Sequence, residues 1–284
     1  MATTIGILHP GEMGAAVARS ARQGGSRVCW ASEGRRSETR RRAEAAGLAD
    51  VGTLSALVAQ SDLLLSVCPP HAALDLARSI ARLGFSGLYV DANAVAPATA
   101  REIGTVVEGP GATFVDGGIV GPPPERPGTT RLYLSGAAAA RVAQDLGRGS
   151  LEAIVLGGPP GAASALKMAY AAWTKGSAAL LLAVRALAVA EAVDDALREE
   201  WRCSLPDLAE RSEAVAHANA RKAWRFVGEM KEIACTFAAA GLPAGFHRAA
   251  ADVYERLAAY RDVTAPPTAH EVAGVLLGES APTA

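Results

Sequence analysis

Residues 5–14 read Ile5-Gly6-Ile7-Leu8-His9-Pro10-Gly11-Glu12-Met13-Gly14. An apolar run over residues 3–8 enters a glycine-bearing turn, and a segment with helical spacing, residues 12–23, leaves it. Strand, turn and helix in that order make a phosphate site. Glycine lets the backbone approach a pyrophosphate, and the first helical turn offers N–H groups that have no intrahelical partner. Gly11, Glu12, Met13 and Gly14 are therefore the predicted contacts to a dinucleotide. One position departs from the G-x-G-x-x-G pattern: the first glycine is His9, followed by Pro10, so the turn is expected to take another path. His9 either touches phosphate or is an exposed turn residue; the sequence favours the second.

Outward from this turn, strand and helix alternate. Apolar runs at residues 27–31, 63–67, 88–91, 113–115, 131–134 and 154–156 predict strands. Helical spacing at 36–46, 54–60, 72–83 and 96–107 separates several of them. The alternation predicts an α/β fold, a doubly wound and mostly parallel sheet with helices on both faces. Gly157-Gly158-Pro159-Pro160-Gly161 then starts a long helix, since residues 162–192 hold no proline and one glycine, Gly176. About 30 residues at about 1.5 Å each give roughly 45 Å. No strand pattern follows residue 156. The expected division is a nucleotide-binding domain at 1–160 and an all-helical domain at 161–284. So long and apolar a helix outruns the cover a small domain supplies, which predicts a homodimer.

The end of the second strand bears on the choice of dinucleotide. It runs through Ala31-Ser32 into Glu33, Gly34, Arg35 and Arg36. Ser32, Arg35 and Arg36 suit a ribose 2′-phosphate, which a guanidinium grips in a fork, and they predict NADP. Glu33 is the competing signal, because an acidic residue there accepts from the 2′-hydroxyl of NAD.

Half of the chain is hydrophobic and a fifth is charged, which excludes a disordered chain. A net charge of −1, from 28 basic and 29 acidic residues, argues against a nucleic-acid binder. Cys29, Cys68, Cys203 and Cys235 are scattered, with no histidine at ligand spacing, so no metal site is expected. The start of the chain lacks a basic signal-peptide segment. The most apolar stretch, residues 178–190, is interrupted by Arg185 and is too short to cross a bilayer. A cytoplasmic protein with reduced thiols and no membrane role is the expectation. The chain has only four lysines, Lys167, Lys175, Lys222 and Lys231, all in its second half.

These features together resemble the superfamily of NADP-binding 6-phosphogluconate dehydrogenases and β-hydroxyacid dehydrogenases. The branch is one whose helical C-terminal domain is phosphogluconate dehydrogenase-like. The resemblance rests on the 8–14 turn with its Gly-x-Met-Gly ending, on Asp116–Gly121, and on the helix holding Lys167, and it covers nearly the whole chain. It implies an N-terminal Rossmann domain. It also implies hydride transfer between NADP(H) and a small hydroxy acid or carbonyl compound, with Lys167 exchanging a proton at the substrate oxygen. A lysine desolvated in a cleft suits that task, and a snorkelling lysine on a core helix is the plain alternative. The loops after the strand candidates at 63–67 and 88–91 would line the ribose and nicotinamide, which carries over Cys68, Pro69 and Asn93. His71 reads as a cap or surface residue, and residues 121–128 as a rigid wall of the substrate cleft.

Two residues depart from the superfamily pattern. Val120 stands where a substrate-anchoring serine is usual, and Ala171 where an asparagine follows the lysine. Both changes predict a less polar pocket. Tyr170, at i+3 from Lys167, is the expected catalytic replacement, with a core tyrosine as the alternative. Imine reduction on the same scaffold and a non-catalytic dinucleotide-binding protein are the competing functions. Lys167 speaks against the first, since the superfamily's imine reductases usually carry another residue there.

Overall fold

The computed structural model describes residues 3–281. Its contacts group into two compact units, one ending at Met168 and one beginning at Ala169.

The first unit runs β1 (Thr4–Ile7), α1 (Glu12–Gln23), β2 (Arg27–Trp30), α2 (Ser37–Ala45), β3 (Ala49–Asp50), α3 (Leu54–Gln60), β4 (Leu63–Ser66), α4 (Pro70–Arg82), β5 (Leu88–Asp91), α5 (Pro97–Glu108), β6 (Thr113–Val120), β7 (Arg131–Ser135), α6 (Ala139–Leu146), β8 (Glu152–Val155) and the start of α7 (Ala162–Ala190). The eight strands form one sheet in the order β3-β2-β1-β4-β5-β6-β7-β8. All neighbours are parallel except β6 and β7. The chain leaves β1 on one side and returns at β4 on the other, so the topological switch point lies between them, beside the glycine-bearing turn.

Both faces of the sheet are buried, as a parallel sheet requires. Ile5, Ile7, Val28, Trp30, Leu63, Leu65 and Val90 point to one face and pack with Val17, Ala21, Val142 and Leu146 of α1 and α6. Cys29, Leu64, Tyr89 and Phe114 point to the other, against Leu57, Ala77, Ile80, Ile103 and Val107 of α3, α4 and α5. The doubly wound class is therefore present as expected.

Several element boundaries differ from the sequence reading. β6 runs to Val120 instead of stopping at 115, because Asp116-Gly117-Gly118 continues the strand and pairs antiparallel with β7. Two glycines carry no side chain to mark the alternation. β3, two residues long, and α6 escaped the pattern, and β8 starts before the expected 154. The compact units part inside α7, later than residue 160, because Ala163 and Lys167 in its first two turns pack on Gly118 of β6.

The second unit is helical: the remainder of α7, then α8 (Asp194–Ser204), α9 (Leu208–Asn219), α10 (Ala223–Ala239), α11 (Gly245–Arg256) and α12 (Ala269–Leu276), with short 3₁₀ turns at Ala220–Lys222 and Leu257–Asp262. α12 opens with a reciprocal cap between Thr268 and Glu271. By length and apolarity the whole of α7 matches a membrane span, unlike the shorter 178–190 stretch considered from sequence. Its Arg185, however, is buried among Asp194, Ser212 and Glu213, which neutralise and hydrogen-bond it within the helical unit. Lys175 pairs with Glu229 and lies over the Phe226 ring, and the Tyr254 hydroxyl donates to the Lys175 carbonyl.

Candidate active site

At the carboxyl end of β1 the chain turns through His9-Pro10-Gly11 into α1. The Gly11 N–H donates to the His9 carbonyl at 2.8 Å. A Cβ on Gly14 would sit 2.3 Å from that same carbonyl oxygen, so a glycine is required there for space. His9 lies outside the left-handed backbone region, which explains how a side chain replaces the usual first glycine. Its ring is half-buried, with Nδ1 enclosed and without a hydrogen-bond partner among the described residues. The exposed position expected for it is not what the fold provides. Burial, then the Arg35 charge, lower its pKa, so the ring is neutral at pH 7.

Arg35 reaches back across the β1–α1 turn and donates from Nη2 to the Leu8 carbonyl at 2.9 Å. Arg40 lies close by: it donates to the Ser32 carbonyl at 2.9 Å and to the Arg35 carbonyl at 3.3 Å. Ser32 is buried, and its N–H donates to Asp50 at 3.2 Å. Asp50 also accepts from the Gly52 N–H, and the Ser32 hydroxyl helps to lower its pKa. Arg36 is exposed at the N-cap of α2, and Glu33 is exposed beside it. Of the predicted 2′-phosphate group, Ser32 and Arg35 thus face the turn after β2 and are braced by Arg40 and Asp50. The sequence reading missed these two braces because α2 and β3 lie beyond the strand-end signal it used.

The other predicted cofactor residues gather two strands away. The Cys68 N–H donates to Asn93 Oδ1 at 2.5 Å, and Asn93 Nδ2 donates to Ser66 Oγ at 2.9 Å and to Asp91 Oδ1 at 2.5 Å. Pro69 follows at the N-cap of α4, and His71 is exposed in its first turn. Cys68 is not a poised nucleophile: burial, then Asp91, push its thiol up to about 12.

The structure adds a feature that residue spacing did not reveal. Ser66, Asp91, Asp116 and Ser135 are register partners on β4, β5, β6 and β7, forming a buried polar row across the sheet. Asp116 Oδ2 accepts from Ser135 Oγ at 2.9 Å, Gly161 N–H at 2.9 Å and Ser164 N–H at 3.0 Å; Oδ1 accepts from Ser164 Oγ at 2.5 Å. Ser135 Oγ in turn accepts from Ala163 N–H at 3.1 Å. The N-terminal N–H groups of α7, which have no intrahelical partners, are thus satisfied by a carboxylate and a hydroxyl from the sheet. This fixes Lys167, one turn further on and half-buried, over Gly118. A Cβ on Gly118 would meet the Lys167 Cβ at 3.1 Å and the Ala163 carbonyl oxygen at 2.6 Å.

Val120 is buried at the end of β6, and Ala171 is buried on α7, so neither position supplies a polar group. Tyr170 is about half exposed on α7. Among the described residues no group of three His, Cys, Asp or Glu side chains converges as a metal site would require.

The carboxyl ends of β1, β2 and β4 therefore carry a glycine-bearing turn, an arginine-braced turn and an asparagine-held turn, and Lys167 of α7 lies over Gly118 of β6. A solved protein described as structurally similar to 3-hydroxyacid dehydrogenases is 27% identical, over 91% of this chain and 98% of its own, with a TM-score of 0.68. The 3-hydroxyisobutyrate dehydrogenase of Mycobacterium tuberculosis, solved with L-serine, is 18% identical over 98% and 99% of the two chains, at 0.72. A reductive aminase from Aspergillus terreus, solved with NADPH, is 20% identical over 96% and 98%, at 0.56. In fold, the chain is similar to the 3-hydroxyacid dehydrogenases and imine reductases. Residues 186–257 match the family described as "Domain of unknown function (DUF1932)". An "Uncharacterized 28.5 kDa protein in 7S RNA 5'region" of Methanothermus fervidus is 31% identical over 156 residues, 55% of this chain. That match spans 59% of the relative's length, less than two thirds of it.

Proposed function

We propose that the protein is an NADP-dependent oxidoreductase of the β-hydroxyacid dehydrogenase type, acting on a small hydroxy acid or carbonyl compound. The observation that carries this reading is the seating of Lys167 over Gly118 by the Asp116 network. It lies at the sheet end that also bears the glycine turn and the Asn93 turn. The turn into the N-terminus of α1, with the Arg35–Arg40 pair beside it, fits a dinucleotide phosphate. Gly11, Glu12, Met13 and Gly14 would hold the pyrophosphate, Ser32, Arg35 and Arg36 the 2′-phosphate, and Cys68, Pro69 and Asn93 the nicotinamide ribose.

The nicotinamide, when bound, supplies the hydride donor or acceptor. Lys167 holds the proton that the substrate oxygen gains or gives up, and Tyr170 is the second polar group of the step. Val120 and Ala171 supply no polar group at the two positions where the resemblance places substrate anchors. That favours bulkier or less acidic substrates and keeps imine reduction as the second reading. Trp173, Leu180 and Leu187 recur every seventh residue along α7 with 70%, 49% and 62% of their surface exposed. A seam of that spacing supports a homodimer with α7 at its interface. Four free cysteines suit a reducing cytoplasm.

The test is Lys167→Ala. Turnover of hydroxy acids or carbonyl compounds with NADP(H) is expected to vanish while calorimetric NADPH binding survives. Unchanged turnover removes Lys167 from the chemistry. Consumption of cyclic imines without alcohol oxidation moves the reading to imine reduction, and binding of NADH in preference to NADPH overturns the cofactor choice.

A further inference from the structure

The buried row across the sheet contains a carboxyl group that the proposed chemistry does not use. Asp91 is fully buried at the end of β5. Its Oδ1 accepts from Asn93 Nδ2, and its Oδ2 is enclosed without a hydrogen-bond partner among the described residues. The Asn93 amide is fully committed. Its oxygen takes the Cys68 N–H, and its two N–H bonds go to Ser66 and Asp91. Rotating that amide by half a turn would set its NH₂ against the Cys68 N–H, donor against donor, and its oxygen against the Asp91 carboxylate. An ionised Asp91 forbids the rotation. A protonated Asp91 can donate to an amide oxygen and removes its own part of the prohibition, leaving only the Cys68 N–H to hold the amide.

We propose that Asp91 is a positioning residue whose ionisation locks the Asn93 amide and, through it, the Cys68–Pro69 turn offered to the dinucleotide. The proposal rests on the dinucleotide reading above for its consequence, but the lock itself is a property of the free protein.

The titratable groups facing Asp91 are Asp116 on β6, Cys68 after β4 and Tyr89 on β5. Burial, then the Asp116 charge, push the Asp91 carboxyl up to about 7. Burial, then Asp91, push the Cys68 thiol up to about 12 and the Tyr89 phenol well above its ordinary value, so both stay neutral through this range. Asp116 is committed to its four donors. A change near neutrality at Asn93 therefore reports Asp91.

The chain has only two asparagines, Asn93 and Asn219, so protein labelled with ¹⁵N-asparagine gives two side-chain amide signals. In the free protein the Asn93 pair is expected to shift with a midpoint between about pH 6 and pH 8, and to stand still in Asp91→Asn. A flat Asn93 signal across that range in the wild-type protein overturns the lock, as does a titration that persists in the variant. The wild-type titration decides the matter even where Asp91→Asn does not fold, and Ser66→Ala, which leaves Asp91 in place, is expected to keep it.

NADPH affinity, followed by nicotinamide fluorescence from pH 6 to 8, supplies the consequence. The 2′-phosphate titrates equally with both proteins and cancels in their ratio. Wild type is expected to gain about tenfold over Asp91→Asn as the pH rises, the worth of one charge-assisted hydrogen bond. A constant ratio overturns the link to the cofactor. Absence of NADPH binding to the wild-type protein, with the Asn93 titration intact, defeats the proposed function and leaves the lock standing.

Discussion

Replacing Asp116 should uncouple the start of α7 from the sheet. In Asp116→Ala four donors lose their acceptor: the N–H groups of Gly161 and Ser164 and the hydroxyls of Ser135 and Ser164. The three residues that supply them, Ser135, Gly161 and Ser164, are all buried. The two hydroxyls can turn, but the two backbone donors cannot, and each orphaned buried donor costs about 1–3 kcal/mol. Loss of the charge that opposes Asp91 returns part of this. The net expectation is a loss of about 4 kcal/mol, or roughly 10–15 °C of melting temperature for a unit of this size. Asp116→Asn keeps one acceptor oxygen and turns its NH₂ toward the Ser164 hydroxyl, which can reverse to accept; about 2 kcal/mol is expected. Urea unfolding followed by circular dichroism gives both values. Hydrogen exchange localises them: the Gly161 and Ser164 amides should be protected in wild type and exchange rapidly in Asp116→Ala. A loss below about 1 kcal/mol, or continued protection of those two amides, would refute the assignment of Asp116 as the anchor.

Three further outcomes are expected. Gly118→Ala drives a methyl group into the Ala163 carbonyl oxygen and the Lys167 Cβ, and since the first is backbone, α7 must shift; turnover by steady-state assay should fall roughly 100-fold with NADPH binding retained. Asp91→Asn should raise stability most at high pH. Asp91 has a folded pKa of about 7 against an ordinary 3.8, so the folded state loses stability as pH rises from about 4 to about 7. The neutral variant should therefore gain up to about 4 kcal/mol in urea unfolding at pH 8 and almost nothing at pH 4; an equal effect at both pH values would contradict this. Leu180→Asp with Leu187→Asp places charges on the exposed seam of α7 and should yield a monomer by light scattering, whereas an unchanged assembly would locate the interface elsewhere.

Much of the architecture was legible because parallel strands buried on both faces write near-continuous apolar runs, as 63–67 does, and because residues 5–14 place a glycine turn between strand and helix. The misses share a physical cause. β6 was cut short where Gly117 and Gly118 remove the side chains that carry the pattern, yet it is their bareness that admits α7. The places of Gly11, Gly14, Ser32, Arg35, Cys68 and Asn93 in turns after strands could be read from the sequence. Asp50, Asp91, Ser135 and Ser164 could not, because each works through a partner on another element that only the sheet order brings near. Asp116 was legible as part of a motif; its grip on the helix was not.

The Asp116–Ser164 bond also acts as a gauge of helical phase. α7 is held in rotation at Ser164, and Lys167 follows three residues later, about 60° short of a full turn. One residue inserted between them would swing the ammonium by about 100° away from Gly118 without disturbing the anchor or the length of the apolar face. The count of residues between these two positions is therefore more tightly constrained than the identity of those that fill it. A chain with this fold that retained both residues at another spacing would present its lysine elsewhere.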